Sequence, residues 1–189
     1  MDRRIRKTRE AISEAFIALL AEKSFEQITI NEIADRADIN RGTIYLHYID
    51  KFDLLEQCIE THVAQLRENC FDNDNAHIPS KYAMLNAFQY LEQHAAIYTT
   101  LLVNKGIPAF RNRLMTVVLH TLDANFEAGY IKQEINKEVQ KQFLASAIVG
   151  VLEWWVTQAM PYPAADMVEQ LWPLLERISI IPQTKIQVG

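Results

Sequence analysis

No stretch of this chain approaches the roughly 18 consecutive apolar residues of a membrane span, although 49% of its 189 residues are hydrophobic. The apolar content is dispersed, and it is ample for a sizeable core in one or two small domains. The basic start is followed by no unbroken apolar run, so no signal peptide and no membrane association are expected. Cysteine is scarce: Cys58 and Cys70 stand without a C-x-x-C or Cys/His cluster. On one helix they would lie about 18 Å apart, too far for a disulfide, and a reduced, cytoplasmic setting is expected. Familiar chemical signatures are missing as well. There is no nucleophile elbow, P-loop or pair of catalytic carboxylates, and His94 and His120 show no ligand spacing. No catalytic residue, metal or cofactor is therefore expected, which sets aside an enzyme or a small-molecule carrier.

Overall positive charge is also lacking, since the chain carries a net −5. Residues 52–189 hold 10 Lys and Arg against 15 Asp and Glu, which argues against a nucleoid-like structural DNA binder that is basic throughout. The distribution, however, is uneven. Residues 1–9 hold Arg3, Arg4, Arg6, Lys7 and Arg9 against Asp2 alone, a local balance of +4. A short basic arm on an acidic body places phosphate-seeking charge at one end; an ordinary solvated terminus is the competing explanation.

Helical punctuation dominates, and no strand-like alternation persists. Ile5, Ile12, Phe16, Leu19 and Leu20, with Ala11 and Ala15, give residues 3–22 an apolar face of period near 3.6. Three helices are expected next, at about 31–37, 41–47 and 51–71, followed by a loop at 72–75. Pro79-Ser80 can open a helix at about 80–93, with another at 95–104. Gly106 breaks the chain, and Pro108 can occupy the first turn of a helix reaching about 127. Gly129 is a plausible stop. A helix at about 136–159 ends at Pro161 and Pro163, and a last one at 164–179 precedes Pro182. The expected architecture is all-α, with about nine helices. A three-helix domain (residues 1–50) would be followed by a larger helical domain (51–189), with the helix at 51–71 shared between them.

The most informative segment is 28–55, ITINEIADRADINRGTIYLHYIDKFDLL. Thr29 and Glu32 form a T-x-x-E capping box that starts a helix at about Asn31, whose apolar face is Ile30, Ile33, Ala34 and Ala37. Asp38 stands where the chain must turn, and Asp tolerates the left-handed region better than most non-glycine residues. Ile39 can plug the space between two helices, and Asn40 is a strong N-cap for the next. Arg41, Gly42 and Thr43 then sit at an exposed helix start. Gly42 allows close backbone approach and Thr43 offers a hydroxyl to a phosphate, while Tyr45 and His47 present polar tips and Ile44 faces inward. Asp50 caps a further helix, whose free amides and Lys51 would clamp a phosphate.

Together these residues resemble the DNA-binding region of the TetR family. The family pattern T-x-x-x-I-A-x-x-A-G-V-S-x-G-T-L-Y-x-H-F-x-x-K-x-x-L is met by Thr29, Ile33, Ala34, Ala37, Ile39, Asn40, Gly42, Thr43, Ile44, Tyr45, His47, Tyr48, Lys51 and Leu54. The clear departure is Asp38, where the family has glycine. The resemblance implies a helix-turn-helix, phosphate contacts from Thr29, Thr43, Tyr45, His47 and Lys51, and base reading by Asn31 and Arg41. Arginine there has a physical preference for guanine O6 and N7. Tyr48 fits the aromatic core position. The implied protein is a one-component transcriptional regulator, expected to be a repressor, that grips a near-palindromic double-stranded operator as a homodimer. An effector modulates it, and activation or control by a partner protein stay open as alternatives.

Beyond residue 72 the likeness is weaker. AFRNRL (109–114) and IVGVLEWWVTQ (148–158) resemble a C-terminal subgroup that includes regulators of dihydroxyacetone kinase genes. Apolar stripes at Ala147, Val151, Trp154 and Trp155, and at Met167, Leu171, Leu174, Leu175 and Ile178, could pair two helices per subunit into a four-helix seam. The dimer residues expected from these stripes are Trp154, Leu171 and Leu175. The adjacent Trp154 and Trp155 cannot face one way, so one serves the core. Tyr82, Phe88, Tyr98, Phe110, Met115, His120, Phe126 and Trp155 are candidates for lining an effector cavity, against the plainer reading that aromatics at helical spacing are simply core.

Overall fold

Local sequence signals set most of the element boundaries. In the computed structural model, residues 3–70, 80–103, 108–131, 133 and 135–177 are described, and among them every regular element is a helix. The loop at 72–75, Pro79, Gly106, Ile178 and Pro182 lie outside the described residues.

The first helix, α1 (Arg3–Glu22), buries Ile12, Ala15, Phe16, Leu19 and Leu20. The basic residues from Arg3 to Arg9 are thus turns of this helix and not a loose arm. After a 3-10 turn at Phe25–Gln27, which periodicity did not flag, come α2 (Ile30–Arg36) and α3 (Arg41–Tyr45). The chain passes between α2 and α3 through Asp38, whose φ of 52° is the left-handed conformation expected where the family has glycine. Phe16, Phe25, Ile28, Ile33, Ile44 and Tyr48 close a small core under these helices. Each large side chain so buried contributes about 1.5–3 kcal/mol.

α4 (Lys51–Cys70) leads from this head into the body. There α5 (Lys81–Gln93) starts at Ser80, whose Oγ accepts the Ala83 amide at 3.0 Å. α6 (Ala95–Val103) follows, then α7 (Pro108–Glu127), which ends before Gly129 at φ 76°. α8 (Lys137–Thr157) is capped by Asn136, and α9 (Ala164–Arg177) continues through Pro173. α9 packs on α5, α8 on α6 and α7, α4 on α5 and α7, and α6 on α1. One cluster of buried side chains runs from α1 through α4 to α8 and α9. Contacts between elements are reinforced by Glu92, whose carboxylate accepts the Ala164 amide, and by the Arg111–Glu153 and Lys81–Glu169 ion pairs.

Of the adjacent tryptophans, Trp155 is the core residue. It is fully buried and its Nε1 donates to the Tyr162 carbonyl at 2.8 Å, whereas Trp154 is 46% exposed. Met167 is buried, and Leu171 and Leu175 pack within the chain. Both of these leucines are half-buried in the single chain, and Leu174 of the same stripe is exposed. The exposed apolar positions are Val139, Phe143 and Trp154 on α8, with Leu174 on α9.

Candidate nucleic-acid interface

Polar side chains hold the helix-turn-helix in shape. The Thr29 Oγ1 accepts the Glu32 amide at 3.3 Å, while Glu32 Oε2 accepts the Thr29 amide at 2.9 Å, so both halves of the capping box form. Lys23 pairs with the same carboxylate. Its ammonium first, then the Thr29 amide and hydroxyl, hold Glu32 down to about 2. Asn40 Oδ1 accepts the Gly42 amide at 2.7 Å, as an N-cap should. A Cβ on residue 42 would come 3.2 Å from that same oxygen, so Gly42 also keeps room for its own cap.

At the start of α3, the Arg41 guanidinium lies 5.4 Å from the Tyr45 ring centroid and donates to the Tyr45 hydroxyl at 3.1 Å. This holds Arg41 against an exposed aromatic one turn on, a pairing the sequence pattern did not announce. Asn31 and Asn40 are exposed, and Thr43 and His47 are half-buried. Tyr48 is buried, with the Arg9 guanidinium over its ring. Arg9 also donates to the Tyr48 hydroxyl and to Gln57, which ties α1 to α4. Leu46 (82% exposed) and Ile49 (83%) are large apolar groups beside the reading helix that motif reasoning passed over. Their exposure depends on how α3 and α4 meet, which no short-range pattern encodes.

Lys51 is placed otherwise than a phosphate clamp requires. Its Nζ donates to the carbonyl oxygens of Phe25, Glu26 and Ile28, each at 3.1 Å, so all three ammonium protons are engaged. The first amides of α4 are occupied too: Asp50 Oδ1 accepts those of Phe52 and Asp53. These bonds make Lys51 an internal tie between α4 and the segment around the 3-10 turn.

In the body, a cavity of about 240 Å3 opens between α4, α5, α7, α8 and α9. Of the eight side chains expected to line an effector cavity, Phe88 lines this one. Trp155 packs against Phe88 at 5.0 Å and Tyr98 against Phe110 at 5.8 Å, as solid core. Tyr82 and His120 are exposed, and Met115 and Phe126 pack on the cores from outside this cavity. A wider cleft of about 690 Å3 lies between α1, α4 and the α5–α6 junction, lined by Arg9, Gln57, His62, Tyr90 and His94 among others. Burial pushes the His62 imidazole below its usual range, His94 adds to the shift and Gln65 opposes it.

A capped reading helix on a small packed head, joined by a continuous helix to a larger helical body, defines a helix-turn-helix regulator. Residues 12–58 match the model for bacterial regulatory proteins of the tetR family, and residues 80–177 match a transcriptional regulator C-terminal region. The chain belongs to the TetR family of transcriptional regulators.

Among its relatives is the HTH-type transcriptional regulator YxbF of Bacillus subtilis, 28% identical over 183 residues, a match covering 93% of this chain but 46% of that protein. The chain therefore spans about half of YxbF. The HTH-type transcriptional repressor BepR of Brucella suis is 27% identical, with 79% of this chain and 81% of that protein covered. A TetR transcriptional regulator from Streptococcus agalactiae superposes with a TM-score of 0.73 at 28% identity, over 94% and 97% of the two chains. The dihydroxyacetone kinase operon activator DhaS shares the fold, with a TM-score of 0.68 at 21% identity over 93% and 98%. No helix among the described residues is long and apolar enough to cross a membrane.

Proposed function

We propose that this TetR-family protein is a dimeric repressor whose α3 reads a two-fold operator and whose body cavity receives the effector. The observation that carries the reading is the course of α4. Leu54, Leu55 and Cys58 in its first turns belong to the head core, while Val63, Leu66 and Arg67 further along line the 240 Å3 cavity. Whatever alters that cavity therefore acts on a helix that also holds the head, and α6 against α1 gives a second mechanical link. Repression is favoured by the likeness to BepR, over the activation named for DhaS.

Within this reading residues 1–50 bind DNA and 51–189 sense and dimerise. Arg41 and Asn31 read base edges, Gly42 lets the backbone approach, and Thr43, Tyr45 and His47 contact phosphates. Thr29, Asn40 and Lys51 position the reading helix by capping and tying its supports. The exposed α8 stripe of Val139, Phe143, Ala147 and Trp154, with Leu174 of α9, forms the subunit interface, because large apolar side chains at helical spacing gain most from leaving water together.

Selection of binding sites from random duplex DNA tests the whole reading. The expected product is a near-palindrome with half-sites about one helical turn apart, near 34–36 Å. A selected site without two-fold symmetry would overturn the dimer. Coupling is tested by filling the cavity with Ala87→Trp, which is expected to change operator affinity by about fivefold or more.

A further inference from the structure

Leu46 and Ile49 are the most exposed large apolar side chains among the described residues, at 82% and 83%, and Phe52 follows at 62%. All three lie in one short stretch, from the C-cap of α3 into the first turn of α4. They are no part of the α8 stripe. A single exposed leucine is ordinary on a protein surface, but a run of carbon continuous with a nucleic-acid-binding face marks a contact. Donors at the start of α4 are engaged within the chain: Lys51 Nζ holds three carbonyls, and Asp50 takes the amides of Phe52 and Asp53.

The direction of Leu46 follows from Ile44, which is fully buried and so fixes the inward side of α3. At about 100° per residue, Gly42 and Leu46 stand about 160° to either side of Ile44, hence about 40° apart across the outermost line of the helix. Leu46 is the C-cap, and its φ of −74° and ψ of −18° are still helical, so the count carries through to it. Arg41 and Tyr45, paired with each other, flank this line. Gly42 leaves the line bare, since a Cβ there would meet only Asn40 Oδ1 within 4 Å. A duplex lying close over Gly42 therefore meets Leu46 one turn on.

We propose that Leu46 is a base-reading residue, its isobutyl group packing on the C5 methyl of a thymine in the major groove of each half-site. Base edges in that groove offer donors, acceptors and one apolar group, the thymine methyl. Any other contact would set the leucine against a polar edge and take water from it without a replacement hydrogen bond. Leu46 therefore selects sequence, whereas contacts to phosphates position the head. Ile49, beyond the buried Tyr48 and off the helix, extends the same carbon surface and reads no base. The inference rests on α3 as the reading helix, and the experiment keeps the two apart.

The test starts from the duplex that the full chain selects from random DNA. Each thymine in it is replaced in turn by deoxyuridine, which keeps the base pair and removes only the C5 methyl. At one thymine per half-site, binding is expected to weaken about fourfold, the worth of one buried methyl group. In Leu46→Ser the thymine and uracil duplexes should bind alike. Arg41→Ala, although weaker overall, should keep the fourfold ratio, and Ile49→Ser should keep it too. The wild-type scan can overturn the proposal whatever the variants do: if removing no methyl matters, Leu46 reads none. A ratio that survives Leu46→Ser, or that is lost in Ile49→Ser, sinks it as well. The first of these, with operator affinity unchanged in Leu46→Ser, would assign the corner to a protein partner instead. Enrichment of no sequence at all would overturn the reading of α3 and this proposal with it. A selected site whose methyls are all silent overturns this proposal alone.

Discussion

Polar groups are used differently in the head and in the body. Around the helix-turn-helix, Asn40, Asp50 and Glu32 each take backbone amides, and Lys51 ties three carbonyls. Further along the chain, His62 Nε2 and Asn125 Oδ1 are buried without a hydrogen-bond partner among the described residues, and cavities lie beside both. The head is thus preorganised for one geometry. The body retains unanswered groups and space, which is what a sensing domain needs if a ligand is to bind one arrangement better than another.

The largest effect expected from this contrast lies in the body core. Trp155→Ala should cost about 3–5 kcal/mol in denaturant unfolding, because it empties a fully buried site and orphans the Tyr162 carbonyl. Trp154→Ala, one residue away, should leave monomer stability nearly unchanged and instead weaken self-association in sedimentation. Equal stability losses for the two would remove the distinction between core and interface faces of α8.

Next in size is Lys51→Ala. It strips partners from three carbonyls, and hydrogen bonds to a charged group are each worth about 1.5–3 kcal/mol at most. A stability loss of about that size is expected, with the salt dependence of operator binding unaltered. A shallower salt slope with unchanged stability would restore Lys51 to a phosphate contact. Arg41→Ala should do the converse. Operator affinity falls by about 1–3 kcal/mol with relaxed preference at one or two base pairs, while the melting temperature holds, since Arg41 is exposed and pairs with the exposed Tyr45.

The same contrast explains what could be read from the sequence. Thr29, Asp38 and Asn40 act through chemistry within a few residues of themselves, and the structure has each in the conformation that the segment implied, while Tyr48 is buried as the family pattern implied. The carbonyl partners of Lys51 lie 23 to 26 residues upstream, out of reach of a local reading. In the body, α6 and α8 carry apolar residues all round, so periodicity names no face. On α5 and α7, Tyr82 and His120 face outward, although their residue types suit a cavity. α9 is strongly amphipathic, but an apolar stripe looks the same whether α5 of its own chain or a second subunit covers it.

The smallest effect concerns the capping box, and its sign follows from the Glu32 carboxyl. That group ionises near its ordinary 4.5 in the unfolded chain and at about 2 in the fold, chiefly because Lys23 binds the carboxylate and then because Thr29 does. Above 4.5 it is charged in both states, and its contribution to stability is fully present. As pH falls below 4.5 the unfolded chain takes up the proton first, so stability declines until about 2, where both states are protonated. Glu32→Gln should therefore lower stability by a constant amount above pH 4.5 and show a flatter profile between 4.5 and 2. The glutamine oxygen can still accept the Thr29 amide, so the loss isolates the charge shared with Lys23. That charge faces solvent, so the difference should be modest and should shrink as salt is added. Parallel stability profiles for the wild type and Glu32→Gln throughout this window would mean that the carboxylate is not held by Lys23, and that the box works as a neutral cap alone.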